Sequence, residues 1–89
     1  MKRTLEIKVT PRFEKSFSKL PVNIQVLAVK RKKLFANNPK SQVLKAHKLK
    51  GKLEGLWSLS VNFSHRILFE FVDEKTVLFH DIGDHDIYK

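Results

Sequence analysis

The sequence predicts an α+β fold, a two-layer sandwich in which an N-terminal strand and a helical hairpin pack on an antiparallel sheet in the order βααβββ. Three observations support it. Apolar and polar residues alternate near the N-terminus, helical spacing follows, and strand-like alternation returns over the last third of the chain. A chain of 89 residues with 42% hydrophobic residues builds a single core, so we predict one domain over residues 1–89.

The N-terminal half predicts one strand and two helices. Alternation over residues 5–9 indicates the strand. Thr10 followed by Pro11 matches an N-cap with proline in the first helical position, so the first helix begins there. The second helix covers residues 22–36 and ends before Pro39, because the residue that precedes a proline avoids the helical conformation. Its inward stripe is Ile24, Leu27, Ala28, Leu34 and Phe35.

The C-terminal half predicts a three-stranded meander. Residues 57–64 alternate between large apolar and small polar side chains, which indicates a half-buried strand. Residues 66–71 place Ile67, Phe69 and Phe71 on one face, and residues 76–82 form the last strand. Because the connections are short, the three strands are expected to be antiparallel neighbours.

Positive charge is concentrated in the first part of the chain, and the formal net charge of the whole is +9. Residues 1–52 carry 15 Lys and Arg against Glu6 and Glu14, whereas residues 53–89 carry three basic and seven acidic residues. Such a field attracts polyanions or an acidic partner protein, with affinity that depends on salt. The alternative is a solvated surface that only keeps the protein soluble.

Several classes of protein are excluded by composition. Cysteine is absent, which excludes disulfides and thiolate metal sites and fits a reducing cytoplasm. No apolar run approaches 18 residues and no signal-peptide pattern follows Met1. We therefore expect a cytoplasmic protein with no membrane partner.

His47 is the first candidate for chemistry. It lies in a basic, loop-like stretch, and the positive charge around it favours the neutral imidazole that a general base requires. The alternative is an exposed histidine without a role. The lysines near it are candidates for binding the phosphates of a polyanion: Lys45, Lys48, Lys50 and Lys52.

The pair His65-Arg66 is the second candidate. Strand alternation puts Arg66 on the polar face, where a guanidinium can hold a phosphate with its fork of donors. The alternative is a cross-strand ion pair with Glu70 or Asp81. His65 points to the apolar side and is predicted to be a core or edge histidine with a hydrogen-bond partner.

His85 is the third candidate, beyond the last strand. Asp84 and Asp86 beside it favour the protonated ring, which can donate a proton to a leaving oxygen. The alternative is a frayed, solvated segment. Tyr88, the single tyrosine, is predicted either to stack on a base or to anchor this segment.

The dipeptides His80-Asp81 and His85-Asp86 raise the possibility of a metal site. Their nitrogen and oxygen atoms are suitable ligands. However, no cysteine, HExxH motif or spaced set of carboxylates accompanies them. We expect neither a metal nor a cofactor, and the histidines and Arg66 on a basic domain favour RNA chemistry.

Four segments carry a family resemblance. They are His47-Lys48-Leu49-Lys50-Gly51, Leu56-Trp57-Ser58-Leu59, Ser64-His65-Arg66-Ile67-Leu68-Phe69 and Ile82-Gly83-Asp84-His85-Asp86-Ile87-Tyr88. In this order and spacing they resemble the RelE/ParE superfamily of type II toxins, especially its YoeB- and YafQ-like RelE branch. The resemblance implies a RelE-like fold and an endoribonuclease that cuts mRNA in the ribosomal A site. It also implies silencing by a cognate acidic antitoxin.

The resemblance further implies a reaction and its residues. The 2′-hydroxyl of RNA attacks the adjacent phosphate without a metal and leaves a 2′,3′-cyclic end and a 5′-hydroxyl. By position, His47 is the general base, Arg66 the transition-state cation, His85 the general acid and Tyr88 the family's C-terminal aromatic. Two alternatives are a ParE-like gyrase-inhibiting toxin and a non-catalytic basic protein that binds nucleic acid. Retention of His47, Arg66 and His85 together argues against the gyrase inhibitor.

Overall fold

A computed structural model describes residues 4–84 and 87 of the chain. Two α-helices pack on one face of a five-stranded sheet, which confirms the predicted α+β fold class. The elements are β1 (Glu6–Val9), α1 (Pro11–Ser18), α2 (Val22–Asn37), β2 (His47–Lys48), β3 (Trp57–Ser60), β4 (Arg66–Phe71) and β5 (Thr76–Gly83). Single turns of 3₁₀-helix cover Gln42–Leu44 and Gly51–Leu53.

The sheet is mixed, with strand order β1-β5-β4-β3-β2. Strands β3 to β5 pair in antiparallel fashion as predicted, and β2 adds to β3 in the same sense, whereas β1 pairs in parallel with β5. Strand β2 was not predicted, because its two residues are both exposed and give no apolar periodicity. The observed order is therefore βααββββ, with His47 in a short edge strand rather than in a loop.

The start of α1 fixes the helical layer to the sheet. Thr10 caps the helix, since its Oγ1 accepts a hydrogen bond from the Phe13 amide at 3.0 Å. The same hydroxyl donates to the His80 carbonyl at 2.8 Å, and the Thr10 amide donates to the Phe79 carbonyl. The predicted cap therefore also ties α1 to β5.

The core lies between the helices and the sheet and is rich in aromatic rings. Phe35 of α2 packs edge-on against Phe69 of β4, with ring centroids 4.9 Å apart, and also contacts Phe79 of β5. The buried residues of the core are Phe13, Ile24, Ala28, Phe35, Leu44, Leu59, Val61, Ile67, Phe69, Val77, Phe79 and Ile82.

A bulge in β5 changes which residues face away from the helices. Leu68 pairs with Asp81, but Phe69 pairs with Phe79, so His80 is an extra residue. Phe79 and Ile82 both belong to the core. His80 and Asp81 consequently share the open face of the sheet, the face that the two helices leave uncovered.

The turn between β3 and β4 differs from the prediction that β3 continues through residue 64. The Asn62 Oδ1 accepts hydrogen bonds from the amides of Ser64 and His65, both at 2.8 Å, and this closes a turn directly after Ser60 and Val61. Phe63 leaves the sheet at the tip of this turn and is 96% exposed. The alternating pattern groups Phe63 with the buried Leu59 and Val61, but Phe63 is not part of the core.

Helix α2 carries a second apolar stripe on its outer surface. Val22, Val26 and Val29 are exposed, although their spacing of four and three residues is that of one helical face. The predicted inward stripe is confirmed, with Ile24, Ala28 and Phe35 buried. Within the part of the chain that the structure describes, neither helix combines the length and apolar character needed to span a bilayer.

Candidate functional site

An open depression of ≈ 550 Å³ brings together two of the sequence-predicted residues. His47 and Arg66 both line it, with Leu49, Lys50, Lys52 and Leu53. Strand register explains the meeting: His47 pairs with Ser58 of β3, and Arg66 pairs with Ser60 of the same strand. Paired residues in antiparallel strands point to the same face, so His47, Ser58, Ser60 and Arg66 all project from the open face.

Arg66 is held by the β3–β4 turn. Its Nη1 donates to the Ser60 Oγ at 2.8 Å and to the Asn62 carbonyl at 2.9 Å. Among the described residues, no hydrogen bond involves its Nε or Nη2. One edge of the guanidinium is thereby fixed, while the other donors have no partner among residues 4–84 and 87.

The two acids considered as ion-pair partners of Arg66 have other partners. Asp81 Oδ2 lies 3.2 Å from Arg12 Nε, and Glu70 Oε1 lies 2.8 Å from His80 Nε2. Both contacts are on the open face. Within residues 4–84 and 87, neither acid forms a salt bridge with Arg66.

His47 is oriented by the backbone. Its Nδ1 lies 2.9 Å from the Lys45 carbonyl oxygen, which can only accept, so Nδ1 carries the proton. In the neutral ring the lone pair is then on Nε2. Lys45 adopts a left-handed conformation with φ of 49°, which is unfavourable for a residue other than glycine. This conformation directs the carbonyl towards the ring.

The four predicted lysines separate into two groups. Lys50 and Lys52 line the depression with His47 and Arg66. The Lys48 Nζ lies 5.7 Å from the centre of the Trp57 ring, at a second depression. The Lys45 side chain borders an apolar cavity of ≈ 470 Å³.

The other candidates have different settings. His65 is half-buried and makes a hydrogen bond from Nδ1 to the Asn62 Oδ1 at 3.1 Å, so it supports the turn. His80 is paired with Glu70, and within residues 4–84 and 87 no cluster of ligating side chains is suited to a metal ion. His85 and Tyr88 lie outside the described residues.

Gly83 permits a close approach after β5. A Cβ at this position would lie 2.7 Å from the Ile87 Cγ2. The Ile87 amide donates to the Asp84 carbonyl at 3.1 Å, and Ile87 lines a depression of the open face with Leu68 and Asp81.

Sequence reasoning missed the residues that orient Arg66 and His47. The sequence pattern predicts Ser60 and Asn62 only as members of a polar strand face, and Lys45 only as a phosphate ligand. Asn62 did carry a usable signal, because asparagine favours turns in which its side chain accepts backbone hydrogen bonds. The left-handed conformation of Lys45 had no such signal.

Comparison with solved structures identifies the fold. The chain is similar to one from the toxin–antitoxin complex RelBE2 of Mycobacterium tuberculosis, with a TM-score of 0.72 and 22% sequence identity. The alignment covers 92% of this chain and 99% of the other. YafQ from Escherichia coli has a TM-score of 0.70 at 19% identity, covering 94% and 97%. A chain of the archaeal RelE–RelB complex from Pyrococcus horikoshii has a TM-score of 0.74 at 15% sequence identity. That alignment covers 91% of this chain and 94% of the other.

This chain has the fold of the RelE-type toxins. The RelE-like fold accounts for the two helices on a five-stranded mixed sheet and agrees with the resemblance seen in the sequence. No protein-family model matches the chain, and no curated protein matches it significantly in sequence.

Proposed function

We propose that this chain is the toxin of a type II toxin–antitoxin system and an endoribonuclease that cleaves mRNA in the ribosomal A site without a metal ion. The observation that carries the proposal is the shared depression of His47 and Arg66. It combines a histidine whose Nε2 has the lone pair with a guanidinium that retains unbonded donors. The fold shared with toxins, and with toxins in complex with antitoxins, supports it further.

The reaction needs a base, a cation and an acid. His47 Nε2 takes the proton of the 2′-hydroxyl, and the 2′-oxygen forms a bond to the adjacent phosphorus. Arg66 donates hydrogen bonds to the phosphate oxygens as negative charge accumulates on them. The bond from phosphorus to the 5′-oxygen breaks, and His85 protonates that oxygen. The products are a 2′,3′-cyclic phosphate and a 5′-hydroxyl.

Other cations and the C-terminal aromatic would hold the RNA. Lys50 and Lys52 line the same depression and suit the neighbouring phosphates. Lys45 and Lys48 line other depressions, so their predicted contacts with RNA would lie outside this one. Tyr88 would stack on a base next to the scissile phosphate.

The partner would be an acidic antitoxin. Helix α2 offers exposed Val22, Val26 and Val29 beside the basic residues 30–33. An acidic amphipathic segment that folds on binding would match both the apolar stripe and the charge.

The test is single-turnover cleavage on programmed ribosomes in the presence of EDTA. Magnesium is kept in excess of the EDTA so that the ribosomes stay intact while other metal ions are chelated. Wild type should cleave within the reading frame, and His47→Ala or His85→Ala should each slow cleavage by about 100-fold or more. His80→Ala is the matched control, because this histidine lies on the same face but pairs with Glu70, and it should retain the wild-type rate.

Growth and partner assays complete the test. Induced expression should stop growth and produce cuts in translated mRNA, and co-expression of the cognate antitoxin should restore growth. Growth arrest with intact mRNA and damaged chromosomal DNA would replace the proposal with the gyrase-inhibiting toxin. Full activity of His47→Ala would remove that residue as the base.

A further inference from the structure

The tip of the β3–β4 turn presents an aromatic ring that the proposed reaction does not use. Phe63 is 96% exposed, and among the described residues no other large hydrophobic side chain is exposed to that extent. Its chain neighbours in the turn, Asn62 and Ser64, are polar, and Ser64 is exposed as well. The described residues leave this phenylalanine uncovered on a polar turn, so its ring is available to a ligand.

The turn that carries Phe63 is closed by several hydrogen bonds. The Asn62 Oδ1 accepts hydrogen bonds from the amides of Ser64 and His65 and from the His65 ring. The Val61 amide donates to the His65 carbonyl at 2.9 Å, which closes the turn from the other side. A ring held on such a turn loses little backbone entropy when it binds, and preorganisation of this kind favours affinity.

Two arginines hold the same turn. Arg66 Nη1 donates to the Asn62 carbonyl at 2.9 Å, and Arg31 Nε donates to the Val61 carbonyl at 3.1 Å. The carbonyl of Asn62 belongs to the peptide that leads into Phe63, so the Phe63 Cα lies within about 6 Å of the Arg66 guanidinium. A nucleotide whose phosphate binds Arg66 has its base, or that of its neighbour, within reach of the Phe63 ring.

We propose that Phe63 is a stacking platform for a base of the RNA substrate adjacent to the cleaved phosphate. This inference rests on the proposed function and adds a substrate-binding residue to it. An exposed π-face on the turn that Arg66 holds suits a nucleobase with its phosphate, because the base stacks on the ring while the guanidinium binds the backbone. A protein partner would instead require a continuous apolar patch, and the residues on either side of Phe63 are polar.

The test measures the affinity of toxin variants for ribosomes programmed with an mRNA that carries a 2′-O-methyl group at the cleavage site. Phe63→Ala should weaken binding about 5- to 100-fold, whereas Phe63→Trp should stay within about twofold of wild type. Phe63→Leu is the matched control, since it keeps apolar volume without a π-face, and it should behave like Phe63→Ala. Melting temperatures of the three variants should equal that of wild type, because the side chain is exposed.

Abasic nucleotides locate the contact. One abasic position near the cleavage site should make wild type and Phe63→Ala bind equally, because the base that stacks has been removed. If no such position exists, or if Phe63→Ala binds like wild type, stacking is overturned while the proposed function stands. If Phe63→Leu binds like wild type, the contact is apolar and stacking is again overturned. If the wild-type protein neither binds programmed ribosomes nor cleaves their mRNA, the proposed function is overturned, and this inference with it.

Discussion

The helix-covered face of the sheet and its open face use their residues in opposite ways. On the covered face, Phe35, Phe69 and Phe79 pack ring against ring and are almost completely buried. On the open face, Arg66 and His47 are oriented by a few hydrogen bonds to backbone and hydroxyl oxygens. The first arrangement supplies stability through burial, and the second leaves oriented polar groups at the surface. The two properties can therefore be changed separately.

The open face is also partly covered, by the 3₁₀ turn at Gly51–Leu53, by Ile87 and by Arg12 at the start of α1. Leu68 is 5% exposed and contributes to the depression that Leu53, Leu56 and Ile87 line. Along β4, Leu68 lies between Arg66 and Glu70 on this face. Leu53 also lines the depression of His47 and Arg66, so that depression has an apolar border on this side.

The largest effect is expected on the covered face. Phe35→Ala removes a ring that is 1% exposed and should lower the free energy of unfolding by about 3–5 kcal/mol. Urea denaturation measures this change, and Phe63→Ala is the control for loss of an exposed phenylalanine, with an expected change of about 0.5 kcal/mol or less. Equal destabilisation by the two substitutions would contradict the assignment of the core to this face.

The next effect is on the open face and is chemical. Arg66→Ala should reduce the rate of RNA cleavage by about 100-fold or more, since the transition-state charge loses its donor. It should also lower stability by about 1–2 kcal/mol, because the Ser60 hydroxyl and the Asn62 carbonyl lose a hydrogen bond.

Charge-matched variants separate the two roles of Arg66. Arg66→Lys keeps the charge without the planar fork and should recover only part of the rate. Lys33→Ala removes one positive charge from an exposed position of α2 and should leave cleavage by the purified protein unchanged. A similar loss of rate in Lys33→Ala and Arg66→Ala would mean that net charge, not the position of Arg66, controls cleavage.

The smallest effect concerns the β4–β5 turn, away from both faces. The Lys75 amide donates to the Asp73 Oδ1 at 2.8 Å, and this hydrogen bond lowers the pKa of Asp73. A lowered pKa in the folded state means that the carboxylate stabilises the fold at neutral pH and that this contribution is lost as the pH falls through its folded pKa, below 3.8. Asp73→Asn keeps an acceptor without titration. Its melting temperature should be slightly below that of wild type at pH 7 and converge with it in acid.

The covered face was predictable because its residues obey local periods. The stripe of α2 predicts that Phe35 faces inward, and alternation in β4 predicts the same of Ile67 and Phe69; all three are buried in the core. The predicted alternation of β3 failed where a single side chain, that of Asn62, ends the strand. Asn62 ends β3 by accepting two amides, and Phe63 leaves the sheet although its position in the alternating pattern matches that of Leu59.

The sequence supplies candidate residues for a site, but not the geometry that brings them together. His47 and Arg66 could be singled out, yet their meeting depends on β2, a strand of two residues that pairs with β3. The bulge at His80 likewise arises from the pairing of β5 with β4, which brings Asp81 opposite Leu68. Such features depend on contacts between segments that are distant in sequence, so no local hydrophobic pattern predicts them. The roles assigned to His85 and Tyr88 stay predictions.

The central position of β5 has a consequence for biosynthesis. This strand pairs with β1 on one side and β4 on the other, and its carbonyls receive the hydrogen bonds that anchor the start of α1. Of the five strands, β5 is the last to be translated. During synthesis β1 therefore has no strand to pair with, and the sheet is complete only after β5 has left the exit tunnel. A nascent chain cannot assemble this fold while the ribosome that makes it is still translating β5.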